Sequence, residues 1–342
     1  MTNPSLVILF LALSSTTMTA AVREESTAAA PPGSFRLLNR VDMPLVGFGT
    51  AGLGDLQESA PLYALMLGFR HIDTAQATEW YNEAAISKSI AASMLPRKDI
   101  FLVTKVHPRN FGYEQTLISF EDPDTVMTSL GQLRTDYVDL LLLHTSDCSD
   151  WTGLCQPDPE RGTFFDAWRA LEKLYELEKV RAIGVSNFNV SQLEALSATA
   201  RVPVHVVQNH MDPLRQDREV RAWCKARGVL YTSYSTLGSQ WQHQSSAQGE
   251  RKGGKNPVLS HPVVQRLAKR HNISAALLVL TWALQEGVAV IPRSTQVEHI
   301  EELARLLPKH EGGLGVVLSE GEMEEMRGLD GEEPWKVQTD EL

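Results

Sequence analysis

Asp73, Lys105, His144, Ser186 with Asn187, Gln208, Tyr234 with Ser235, and Arg293 with Ser294 each follow directly on a short apolar run. A carboxylate, an ammonium, an imidazole, hydroxyls, amides and a guanidinium are the groups of acid–base catalysis and phosphate recognition. Taken singly each has a plain structural role: Asp73 as a helix cap, Lys105 as a solvated lysine, His144 as a core histidine. Their shared position is what points to one site. A second chemistry is offered by Gly47-Phe-Gly-Thr-Ala-Gly52, which fits G-x-G-x-x-G after an apolar run, with Asp73 about twenty residues on. In that dinucleotide motif the helix opens at the glycines. Here the helical pattern starts only around Glu58, Ser59 and Pro61.

The elements that must position these residues follow from periodicity. Strands are expected over Leu45–Phe48, Arg70–Ile72, Ile100–Thr104, Val138–Leu143, Arg181–Val185, Val204–Gln208, Val229–Ser233 and Val288–Ile291. Each is short and nearly continuously apolar, as buried parallel strands are. Helical patterns lie between them: Ala60–Leu67, Glu83–Ser93, Asp124–Leu133, Phe165–Glu178, Val190–Leu196, Arg218–Arg227, a pair over Pro262–Leu284, and Val297–Leu306. Repeated β-then-α units predict an α/β protein, a (β/α)8 TIM barrel with long loops after strands four and seven (Thr145–Thr163 and Gly238–Lys255). The polar residues then meet at the C-terminal ends of the strands, the face where barrel enzymes build their sites.

Composition fits that reading. The 342 residues are 43% apolar and 22% charged, which excludes a disordered chain, and no internal apolar run is long enough for a helical membrane bundle. A net charge of −10 argues against nucleic acid as a partner. Three cysteines lack zinc-site spacing; Cys148 and Cys155 flank one loop and are candidates to pair, whereas Cys224 lies in a helical pattern. The sequons at Asn189 and Asn272 read best as chance matches.

The ends read as address labels. Leu6–Leu13 is apolar and is followed by small residues through Ala21, the pattern of a signal peptide over 1–21, although the basic n-region is missing. Residues 22–34 read as a disordered linker, 35–330 as the barrel and 331–342 as a tail. The tail ends Thr339-Asp-Glu-Leu342, close to an endoplasmic-reticulum retention signal. The expected location is the secretory pathway, in the lumen of that compartment, with the cytoplasm as the alternative. No membrane association is expected after cleavage.

Specific segments carry a resemblance. Met43-Pro-Leu-Val-Gly-Phe-Gly-Thr50, Gly68-Phe-Arg-His-Ile-Asp-Thr-Ala75, Leu102-Val-Thr-Lys105, Asp136-Tyr-Val-Asp-Leu-Leu-Leu-Leu-His144, Ile183-Gly-Val-Ser-Asn-Phe188 and Ile291-Pro-Arg-Ser294 resemble the aldo-keto reductase family over roughly residues 36–306. The resemblance implies a short capping hairpin before the first barrel strand. It also implies a catalytic tetrad of Asp73, Tyr81, Lys105 and His144, with hydride transfer from NADPH to a small-molecule carbonyl and no metal. A neighbouring ammonium is expected to lower the phenol pKa. Asp73 is expected to hold Lys105, and His144 to orient the carbonyl. The cofactor set carried over is Thr50, Ser186, Asn187, Gln208, Tyr234, Ser235, Leu237, Ser239, Arg293, Ser294, His299 and Glu302.

Three departures stand out. The family pattern Asp-Thr-Ala-x-x-Tyr-x-Asn-Glu is here Asp73-Thr-Ala-Gln-Ala-Thr-Glu-Trp-Tyr81-Asn-Glu83, with two residues added before Asn82. His299 replaces a usual arginine and Leu303 a usual asparagine, so NADPH is favoured but discrimination against NADH weakened. Thr145-Ser-Asp replaces the usual Trp-Pro, and Trp151, Trp241 and Trp335 are candidate pocket walls that select no substrate. The expected protein is a monomeric NADP-dependent carbonyl reductase. The alternatives are a catalytically silent, cofactor-binding regulatory subunit on the same fold and, more distantly, a Rossmann-type dehydrogenase.

Overall fold

The computed structural model describes residues 30–121, 127–148, 162–241, 255–308 and 315–332. The signal-peptide and retention-tail expectations, Cys155, Trp151, Trp335 and most of both long loops lie outside these residues. No helix among the described residues is long and apolar enough to cross a membrane.

The chain opens with a hairpin, β1 (Ser34–Arg36) antiparallel to β2 (Asp42–Pro44), pinned by an Arg36–Asp42 ion pair. Eight parallel strands follow in sequential order: β3 (Phe48–Gly49), β4 (His71–Asp73), β5 (Phe101–Val106), β6 (Leu140–Leu143), β7 (Ile183–Ser186), β8 (Val206–His210), β9 (Leu230–Tyr234) and β10 (Ala289–Val290). The sheet closes through a parallel bridge between Val46 and Val290, with Gly47 N donating to Val290 O at 2.8 Å and Gly49 N to Pro292 O at 3.0 Å. All eight expected strands are present, their ends shifted by a few residues.

Sequential order and closure exclude the Rossmann alternative, whose strand order reverses at the binding crevice. The glycines of the G-x-G-x-x-G run pack the barrel instead. A Cβ at Gly47 would meet the His71 ring at 2.6 Å, and one at Gly49 would meet Ile291 O at 2.7 Å. The next helix, α1 (Ser59–Met66), begins well past Gly52.

The other helices are α2 (Glu83–Ser93), α3 (Tyr113–Glu121), α4 (Ser129–Leu133), α5 (Phe164–Glu176), α6 (Val190–Ser197), α7 (Arg218–Arg227), α8 (Pro262–His271), α9 (Ala275–Gln285), α10 (Val297–Ala304) and α11 (Glu320–Arg327). Side-chain caps start several of them: Asn82 before α2, Thr128 before α4 and Ser274 before α9. Capping boxes start α5, α6 and α11. Asn189 of the first sequon is such a cap, and Asn272 of the second ends α8 in the left-handed region at φ 53°. The single expected helix at 124–133 is instead α4, while α3 and α11 are additional.

Two apolar layers hold the barrel. Val103, Leu140, Leu142, Ala182, Val206, Leu230 and Ala289 fill the interior, closed off by Leu37 and Met43 of the hairpin segment. The outer layer packs strands against helices through residues such as Phe48, Leu141, Trp168 and Trp282. Cys148 is disulfide-bonded. Cys224 is a buried thiol whose pKa burial pushes up to about 12.

Candidate active site

Asp73 closes β4, and the parallel register sets it opposite Val103, two residues before Lys105. Lys105 Nζ donates to Asp73 Oδ1 at 2.6 Å and to Thr74 O at 2.8 Å. Gln208 Nε2, from β8, donates to Asp73 Oδ2 at 2.9 Å. The side chains of Lys105 and Asp73 are 1% and 2% exposed. A buried ion pair is tolerable when its remaining polar atoms are also satisfied, as they are here. Burial lowers the Lys105 pKa and Asp73 opposes that shift. Thr50 supports the pair from its backbone side, with N and Oγ1 both donating to Asp73 O at 3.1 and 2.8 Å.

Tyr81 reaches the same point from the irregular segment after β4. Its ring centroid lies 5.1 Å from Lys105 Nζ and 5.9 Å from the His144 ring, which it meets edge-on. The two added residues therefore leave the tyrosine at the lysine and histidine. The expected lowering of its pKa is not what the structure gives. Burial pushes the phenol well up, Asp73 adds to the rise, and Arg293 pulls partly back. Lys105 lies against the ring rather than hydrogen-bonding the phenol oxygen, and its charge is already committed to Asp73. His144, at the end of β6, is held well below its usual range by burial, by Lys105 and by His107, so the ring is neutral at pH 7.

Sequence reasoning missed a buried carboxylate nearby. Glu83, in the first turn of α2, accepts from Thr104 Oγ1 at 2.6 Å and from Ser129 Oγ at 3.1 Å. Burial raises its pKa to about 7, while both hydroxyls and Lys105 hold it down. It also missed His107. Strand alternation from Lys105 would have found it, because residues two apart share a face.

The amide cradle is assembled from β7, β8 and β9. Asn187, at φ 60°, donates through Nδ2 to His144 O at 2.9 Å and to Ser186 Oγ at 3.2 Å. Ser186 Oγ donates to Gln208 O at 2.6 Å, and the Tyr234 hydroxyl donates to Asn187 Oδ1 at 2.6 Å. These bonds use both donors of Asn187 and one lone pair of its Oδ1. Gln208 Oε1 receives no donor among the described residues. What remains for a ligand is acceptors and the second N–H of Gln208 Nε2, which together fit the NH2 and oxygen of a carboxamide.

The other end of the cofactor set is looser. Ser235 sits at φ 54° and receives Gly238 N on its carbonyl at 2.8 Å. Leu237 O accepts from Asn256 Nδ2 at 2.7 Å. Ser239 opens a helical stretch that includes Trp241, whose Nε1 donates to Asp212 Oδ2 at 2.8 Å. Arg293 is exposed and donates to Gly52 O at 3.3 Å. Ser294 Oγ lies 3.4 Å from His299 Nδ1. Glu302, further along α10, makes no side-chain hydrogen bond or ion pair among the described residues. The tetrad and the amide set thus converge on one mouth of the barrel, while His299 and Glu302 stand apart on a helix. An amide-lined cradle at one end and a guanidinium at the other fit a nicotinamide dinucleotide bearing an extra phosphate.

The model of the Aldo/keto reductase family matches residues 45–311. The 9,11-endoperoxide prostaglandin H2 reductase of Trypanosoma cruzi is 37% identical over 268 residues, covering 78% of this chain and 83% of that protein. The glyoxal reductase of Bacillus subtilis is 33% identical over 311 residues, covering 90% and 97%. Among solved structures, the Bombyx mori aldo-keto reductase in complex with NADP superposes with a TM-score of 0.72 at 22% identity, covering 89% of this chain and 94% of that one. With the match over most of its length and relatives aligned nearly end to end, the chain belongs to the aldo/keto reductase family of oxidoreductases.

Proposed function

We propose that the protein reduces aldehydes or ketones to alcohols with NADPH, Tyr81 delivering the proton. The observation that carries this reading is the convergence of Tyr81 and neutral His144 on the buried Asp73–Lys105 pair. The NADP in the Bombyx mori structure and the reductase names of the relatives support it. A dinucleotide held by the amide set and Arg293 would supply the hydride for the carbonyl carbon. Neutral His144 donates a hydrogen bond to the carbonyl oxygen and orients it. Tyr81 keeps its proton until that oxygen gains charge, then transfers it from Oη. Asp73 and Thr74 O fix the Lys105 ammonium beside the ring as the phenolate forms.

One observation favours a second reading, a silent cofactor-binding subunit. The Tyr81 phenol is pushed up in pKa and is not hydrogen-bonded to Lys105. One experiment separates the two: purified residues 30–342, NADPH, and a panel of aldehydes and ketones beginning with glyoxal, followed by NADPH absorbance. Turnover that vanishes in Tyr81→Phe, with NADPH binding retained, is the expected result. Binding without turnover in the wild type would select the silent subunit.

We also propose that the chain resides in an oxidising compartment. The disulfide at Cys148 supports this, alongside the apolar start and the Asp-Glu-Leu end.

A further inference from the structure

Tyr81 sits in a stretch, residues 74–82, that has neither strand nor helix. Its start follows the edge of β5, with Thr74 N donating to Val103 O at 2.9 Å and Gln76 N to Lys105 O at 3.1 Å. It then turns, with Trp80 N and Tyr81 N both donating to Ala77 O, before Asn82 caps α2. Between those ends the segment is held by side chains: Gln76 Nε2 donates to Ser119 and to Ser129 Oγ, and the remaining contacts cross to the turn at 107–110 that extends β5. Gln76 Oε1 accepts from His107 N at 3.0 Å and from Asn110 Nδ2 at 2.9 Å. Glu79 Oε1 accepts from Arg109 Nη2 at 2.6 Å and lies 3.9 Å from His107 Nε2.

We propose that Glu79 and Arg109 are positioning residues for Tyr81, bracing the loop of the acid against the strand of the lysine. The proposal rests on reading Tyr81 as that acid. Glu79 lies two residues before Tyr81, and Arg109 four residues after Lys105, so the pair ties the two ends of the reacting constellation together. The geometry is one-sided. The Glu79 side chain is 17% exposed against 36% for Arg109, and Glu79 Oε2 is buried with no hydrogen-bond partner. Removing Arg109 leaves a mostly buried carboxylate with only the His107 ring, 3.9 Å away, beside it, and its route to water is outward movement of the loop. The phenol moves with it, and a displacement of about 1 Å costs on the order of 10²-fold in rate.

The test uses the full chain and four forms: wild type, Arg109→Ala, Glu79→Gln and the exchanged pair Glu79→Arg with Arg109→Glu. The first readout is turnover per NADPH-binding site, alongside the NADPH Kd and the melting temperature. The second needs no activity: hydrogen exchange at the amides of Tyr81 and Gly52, which donate to Ala77 O and Trp80 O. The expected result is a fall of about 30- to 100-fold in kcat for Arg109→Ala. The NADPH Kd stays within about 2-fold and both amides exchange faster. Glu79→Gln loses less, since an amide keeps one bond, and the exchanged pair recovers part of the rate. Unchanged kcat per site, or unchanged exchange at both amides, overturns the proposal. A wild type without turnover would sink the reading of Tyr81 as an acid, and the exchange arm alone would then decide whether the pair holds the loop.

Discussion

The two ends of the candidate site share one barrel mouth and are built on opposite principles. At one end Asp73 and Lys105 are buried, and both carboxylate oxygens are occupied. At the other, Arg293 is exposed with a single bond to a carbonyl, and Ser294 and His299 meet at 3.4 Å. The first end is organised before any ligand arrives, at the cost of burying charge. The second leaves its charge in water, where it can meet an anion without a prior partner to displace except Gly52 O. Changes at the buried end should therefore strike rate and folding together. Changes at the exposed end should strike affinity first.

The largest effect should come from breaking the buried pair. Lys105→Met leaves Asp73 charged and unpaired, so turnover should fall about 10³-fold or more and stability by about 3–5 kcal/mol. Adding Asp73→Asn should restore the melting temperature without restoring turnover. Recovery of both would mean that the pair serves the fold only. At the exposed end, Arg293→Ala should raise the NADPH Kd about 10- to 100-fold while leaving NADH affinity and melting temperature unchanged. Equal loss for both dinucleotides would place the extra phosphate elsewhere.

Glu83 sharpens the comparison with a smaller effect. Its folded pKa, about 7, lies above the ordinary carboxylate value of 4.5. The native state therefore holds a proton that the unfolded chain releases, and stability should decline as pH rises from about 4.5 to 7. A decline on the order of 1–3 kcal/mol is expected from a shift of that size. Glu83→Gln should flatten that slope in urea titrations at successive pH values. A slope retained in the variant would assign it to another group.

Much of this was legible in the sequence because buried parallel strands announce themselves. Leu140–Leu143 and Val206–Val207 are apolar without interruption, and the polar residue closing each run fell at the mouth. Helix α3 was not legible. Its buried face is Thr116 and Phe120 alone, too narrow a stripe to stand out from its polar neighbours. Helix α4 is only five residues, and its start at Thr128 is set by a cap rather than by periodicity. The Glu79–Arg109 pair spans thirty positions, and no local pattern signals a contact at that separation. The phenol shift was missed for a different reason: a neighbouring cation was weighed without the desolvation that accompanies it.

Gly52 accepts from Arg293 through its carbonyl and donates to Trp80 O at 2.6 Å through its amide. One residue thus bonds both to Arg293 and to the loop that carries Tyr81. When an anion draws Arg293 off that carbonyl, the strain or slack falls on a residue next to Tyr81. By thermodynamic reciprocity, whatever strengthens the Arg293–Gly52 contact must weaken the hold on an anion that competes for Arg293 by the same factor. The two ends that differ so much in burial are joined, through this glycine, by two consecutive hydrogen bonds.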